Sequence, residues 1–180
     1  MMKNSKKGFN LIEIAIVLAV VGLVIGGIYV AASSVTDNQR KQKAQSQLLQ
    51  IVQNFRVLYS SQADPAAGAV TGDVLANARV MPADMPRIGT GNTFSGAYGA
   101  VAMATLAGSQ FTVTLNGVTQ SACVDFASKN FGTAQARNQI GLVSVLGGVA
   151  GADALDGTVA DAVADCDPTN IMIFTFALRA

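Results

Sequence analysis

From Phe9 to Ala32 the chain reads FNLIEIAIVLAVVGLVIGGIYVAA, apolar on every side, with Glu13 as its only charge. Wound as a helix, this run spans roughly 36 Å, enough to cross the hydrocarbon core of a bilayer. The pattern then changes without a break. Ala44, Leu48, Ile51, Val52, Phe55, Leu58 and Tyr59 recur at three- and four-residue spacing, with Gln, Asn, Ser and Arg between them. That spacing marks one apolar face of an amphipathic helix. The first proline is Pro65. One continuous helix over residues 9–60 is therefore predicted. Residues 9–32 would be its membrane-spanning part, and residues 33–60 would lie on a globular head formed by residues 61–180.

Within the head, residues 62–96 are rich in Ala, Gly, Asp and Pro and read as loop and short helix. Residues 98–106 and 110–115 read as strands, because QFTVTL alternates polar and apolar residues and is rich in β-branched side chains. Residues 106–109 would turn that hairpin, and Asn116-Gly117 is a further turn signal. A short helix is expected over 121–131 and a strand over 139–146. NIMIFTFAL, residues 170–178, is apolar on both faces and predicts a central, buried strand of an antiparallel sheet. The fold class is α+β, a long N-terminal helix packed on an antiparallel β-sheet head.

Composition narrows the function. Hydrophobic residues make up 51% of the chain and charged residues 13%, which excludes a disordered chain. The net charge of +1 gives no reason to expect a nucleic-acid partner. There is no histidine, so the commonest general base and zinc ligand is missing. No nucleophile and base, phosphate-binding or metal-ligand pattern stands out; an enzyme is not expected, nor is a cofactor. Asp161, Asp165 and Asp167 form a small acidic cluster that reads either as oxygen ligands for calcium or as a solvated turn ending at Pro168. Two cysteines, Cys123 and Cys166, are too few for a zinc site and too far apart for a CxxC motif.

Glu13 is the chain's only glutamate. A charge at the centre of a membrane helix costs on the order of 3 kcal/mol or more, though less one turn from the helix start. Immediately before it the chain reads Lys6-Lys7-Gly8-Phe9-Asn10-Leu11-Ile12-Glu13. A basic leader, Gly, Phe, Leu, Glu and an apolar tail together resemble the class III signal of type IV pilins and pseudopilins. Asn10 stands where that family usually has threonine.

The resemblance implies cleavage by a prepilin peptidase between Gly8 and Phe9, which separates residues 1–8 as a leader, and N-methylation of Phe9. It also implies that Glu13 forms an assembly salt bridge with the Phe9 amine of a neighbouring subunit. Loss of Lys3, Lys6 and Lys7 with the leader would leave nine basic and eleven acidic side chains, net −2. Beyond residue 60 there are five basic and nine acidic ones, net −4. Gly22, Gly26 and Gly27 are either ordinary membrane-helix composition or sites where the helix unwinds in the filament. The implied export makes a Cys123–Cys166 disulfide the natural pairing, like the family's disulfide-bounded loop, with two buried free thiols as the alternative.

The implied function is that of a structural pilus subunit. Its partners would be further copies of itself, the prepilin peptidase, the pilus assembly machinery and the inner membrane, which it would span N-in before reaching an extracellular filament. Lysines 3, 6 and 7 favour that orientation, although Arg40, Lys41 and Lys43 flank the other end. A minor pilin and a secretion pseudopilin are the alternatives within the family. Tyr98-Gly-Ala-Val, QFTVTL and the Ala-Cys after it resemble type IVb pilins of the conjugative-plasmid PilS type, whereas the short leader and Phe9 are more typical of type IVa. Outside the family, the rivals are an uncleaved membrane anchor and a secretory signal cut after Val30-Ala31-Ala32, which would start the mature chain at Ser33.

Overall fold

A computed structural model of the chain describes residues 10–60, 70–106, 109–131, 137–138, 140–149, 151, 153–155 and 158–178. It divides into two units, residues 1–39 and 40–180. Helix α1 runs from Leu11 to Leu58, 48 residues, and belongs to both.

In the second unit, the predicted apolar face of α1 does what its spacing requires. Ala44, Leu48, Ile51, Val52, Phe55 and Tyr59 are all buried, whereas Leu58, at the helix end, stays 36% exposed. Gln47 is buried among them, although its polarity hides it from the hydrophobic pattern. This face packs on a six-stranded antiparallel sheet of order β1-β2-β3-β6-β4-β5. The strands are β1 (Thr93–Ser95), β2 (Ala100–Leu106), β3 (Gln110–Thr119), β4 (Leu142–Gly147), β5 (Asp153–Ala154) and β6 (Thr169–Ala177). Short helices α2 (Gly72–Asn77), α3 (Gln120–Asp125) and α4 (Val159–Asp165) flank them, with a π turn over Phe126–Asn130 extending α3.

The C-terminal strand is central, as its apolar run predicts, but it is not buried on both faces. Met172, Phe174 and Phe176 face the core, while Ile171 and Ile173 are half-buried on the other side. Pairing of Phe111 with Phe176 and of Val113 with Phe174 brings their side chains onto the same core face. A run of rings ties helix to sheet: Phe55 lies 4.4 Å from Phe111, Phe111 5.5 Å from Phe176, and Phe131 5.4 Å from Phe174.

Asn116-Gly117 is not a turn. Strand β3 continues through it to Thr119, and the register against β6 shifts between Asn116 and Val118. Gly117 takes the left-handed conformation at φ 77°, which glycine adopts without strain, so the extra residue is absorbed as a β-bulge. The Asn116 amide donates to the Ala100 carbonyl at 2.9 Å across the bend. Both edges of the sheet are very short strands, a common protection against edge-to-edge pairing.

Candidate functional site

In the first unit, every residue of α1 from Leu11 to Val30 is exposed. Leu11 is 84% exposed, Leu23 79% and Tyr29 79%. The 22 residues from Leu11 to Ala32 rise about 33 Å, so length and composition suit a bilayer crossing. A helix apolar all round finds its free-energy minimum in lipid or among other helices.

The start of the helix is shaped by Asn10. Its side-chain oxygen accepts from the Ile12 amide at 3.5 Å and its carbonyl accepts from the Glu13 amide at 2.9 Å. Asparagine is among the residues best suited to accept from such amides. Glu13 sits in the first turn, where the positive end of the helix dipole favours an anion. Gly8 and Phe9, the predicted cleavage and methylation positions, lie outside the described residues, so the Phe9–Glu13 pairing does too. A Cβ on Gly22, Gly26 or Gly27 would meet nothing within 4 Å, so no packing inside the chain calls for these glycines.

In the second unit, polar side chains of α1 fix the helix to the head. The Lys41 ammonium lies 2.8 Å from Asp125 on α3. Gln47 donates to Asp84 at 2.7 Å and accepts from the Ala97 amide at 3.2 Å, which satisfies its buried amide. Burial pushes the Asp84 carboxyl up, but the hydrogen bonds from Lys43 and Gln47 and the Lys43 charge outweigh it and hold the group below its ordinary range. Asn54 donates to the Val80 carbonyl at 3.0 Å. The half-buried Arg56 donates to the carbonyls of Ala177 and Ile140, each at 2.8 Å, clamping the end of β6. Sequence reasoning passed over these anchors as the polar filler between apolar positions; Gln47, at the same three- and four-residue spacing, was the one available signal.

Cys123 and Cys166 form a disulfide, with Cα atoms 5.9 Å apart. It joins α3 to the residue that ends α4, and Gln120 adds a 2.8 Å hydrogen bond to the Cys166 carbonyl. The enclosed segment supplies β4 and β5, one whole side of the sheet, while β6 beyond it inserts between β3 and β4. The three aspartates of the acidic cluster are separated in role. Asp161 is in the first turn of α4, Asp165 ends that helix, and the Asp167 amide donates to Asn170 Oδ1 at 2.8 Å. Among the described residues, no three acidic or cysteine side chains come together in a metal-binding group.

The geometry thus offers an uncovered apolar helix bearing one acid, joined to a disulfide-closed head. The family model named Bundlin matches residues 33–172. That stretch holds the second half of α1 and most of the head, and it excludes the signal-like motif, so the two resemblances rest on different parts of the chain. No curated protein matches the sequence significantly. A crystal structure of a type IVb pilin from Salmonella typhi is similar in fold, with a TM-score of 0.50 and 20% identity, covering 74% of this chain and 98% of that one. The family match, the fold and the disulfide agree: the chain belongs to the Bundlin family and is a type IV pilin, a structural subunit of pili.

Proposed function

We propose that this pilin is made as a precursor and cut after Gly8 by a prepilin peptidase, with Phe9 methylated as the new terminus. Residues 9–32 then hold it in the inner membrane, N-terminus inward, until the assembly machinery moves it into an extracellular filament of identical copies. Residues 33–60 carry the head, residues 61–180, which faces outward. The observation that carries this reading is the uniform exposure of Leu11–Val30 around a single acid. Lipid covers that surface before assembly, and the same helix of other copies covers it afterwards.

Glu13 supplies register. In a packed core of helices its carboxylate needs a partner, since an unpaired charge there is strongly destabilising. The amine freed at Phe9 is one turn away along the sequence and is the cation that cleavage creates. Pairing between copies therefore ties assembly to processing. Glu13→Ala leaves processing intact and lowers the yield of sheared filaments by about tenfold or more. Gly8→Arg blocks processing. Filaments of normal number and length from the Glu13→Ala strain would overturn the pairing.

A further inference from the structure

We propose that the outer face of the sheet docks on the same face of a second copy in a neighbouring filament, so that filaments associate side by side; this rests on the filament reading. The observation that carries it is a lack of charge. Strands β1, β2, β3, β4 and β6 contain no lysine, arginine, aspartate or glutamate. On the inner face this is expected, because Met103, Val113 and Phe174 are buried in the core. The outer positions alternate with them. Pairing aligns Ala102, Thr114 and Ile173 in one row and Ala104, Thr112 and Thr175 in the next. Ala104 is exposed, and Ala102, Thr112, Thr114 and Ile173 are half-buried. A solvated surface ordinarily has about a quarter or more of its residues charged. Here small, uncharged side chains make a level face, although residues 61–180 hold nine acids and five bases, net −4.

The helix says where that face points. The second half of α1 packs on the inner face, with Phe55 against Phe111. When α1 lies in the core of a filament, the outer face looks away from that core. Charge then selects the partner. Heads of net −4 repel one another, and an unpaired charge buried between two of them is costly. On this face two copies meet without burying one. The same patch serves both sides, so the contact is isologous.

Area fixes the kind of contact. Strands β2, β3, β6 and β4 lie side by side. Four strands at about 4.8 Å, each contributing about six residues at about 3.3 Å, make a face of about 400 Å². A pair of copies buries roughly 800 Å², below the ~1,200–2,000 Å² of stable complexes. Free subunits are therefore not held together by it. Along two filaments the contact repeats, and each one formed makes the next intramolecular. The face suits a partner that repeats as the filament does.

The test uses filaments of the full-length chain, sheared from pilus-forming cells and examined by low-speed pelleting and electron microscopy. Ala104→Glu and Thr112→Lys put opposite charges at paired positions of β2 and β3. Each leaves filament yield and the melting temperature of the head unchanged, and lowers the fraction pelleted at low speed about tenfold. Loss with lysine as well as glutamate separates a buried charge from a change in net charge. Ala104→Ser, uncharged, associates as the wild type does, and mixing the two charged variants restores association. Wild-type filaments that stay single, charged variants that associate normally, or no rescue on mixing would overturn the docking. Filaments are present in each of those results, so the filament reading would stand. Absence of filaments from the wild type would remove both.

Discussion

Phe55 packs the second half of α1 on the sheet, and Phe55→Ala measures that junction. Its ring is fully buried, 4.4 Å from Phe111 and 4.8 Å from Tyr59. Truncating such a ring costs about 3–5 kcal/mol, from lost transfer energy and the cavity left behind. The two ring contacts place this site toward the upper end, since an aromatic pair adds about 0.5–1.5 kcal/mol beyond area burial. A domain of this size is stable by about 5–15 kcal/mol, so a third or more of its margin is removed. The chain has no tryptophan, and α1 dominates the far-ultraviolet signal; of its three tyrosines Tyr59 and Tyr98 pack in the head, so near-ultraviolet tyrosine dichroism on the full chain in detergent, with the exposed Tyr29 as a constant background, follows the head. The melting temperature should fall by roughly 10–20 °C. Val57→Ala, two residues on and on the opposite side of the helix at a 76% exposed position, serves as the control and should change stability by less than about 0.5 kcal/mol. A Phe55→Ala loss no larger than the control's would refute the packing of α1 on β3.

Two further outcomes follow from the head. Replacing both Cys123 and Cys166 by serine removes a closure over a sequence separation of 43 residues. On the chain-entropy account this costs about 4 kcal/mol, checked by denaturant midpoints of oxidised protein against the variant, and equal midpoints would contradict it. Asp84 contributes pH-dependent stability. Its folded pKa lies below the unfolded one, so its contribution is present above about pH 4 and is lost as pH falls through the folded value. Asp84→Asn should therefore flatten the acid limb of a melting-temperature profile, and superimposable limbs would count against the Lys43 and Gln47 contacts.

Much of this was legible because long elements average over many residues. The apolar face from Ala44 to Tyr59 could be read from spacing alone, since a helix of this length must repeat its buried positions. The strand around Phe174 was legible as a run of large apolar residues, but its second face was not: whether Ile171 and Ile173 are covered depends on what packs above them. Asn116-Gly117 misled because the same left-handed glycine serves a tight turn and a bulge, and only the pairing of Val118 and Thr119 with β6 separates the two. The two- and three-residue edge strands carry no periodicity to detect. Asn54, Arg56 and Lys41 act through tertiary partners, and a lone polar residue on a helix does not announce its partner. At the assembly end the sequence said more than the folded chain does, because the partner of Glu13 is expected on another copy.

The central claim is tested most directly by the intact mass of the chain recovered from sheared surface filaments. The account predicts a single species beginning at Phe9, one methyl group heavier than the bare sequence, with the Cys123–Cys166 disulfide intact. A chain that retains residues 1–8, or one that begins at Ser33, would contradict it.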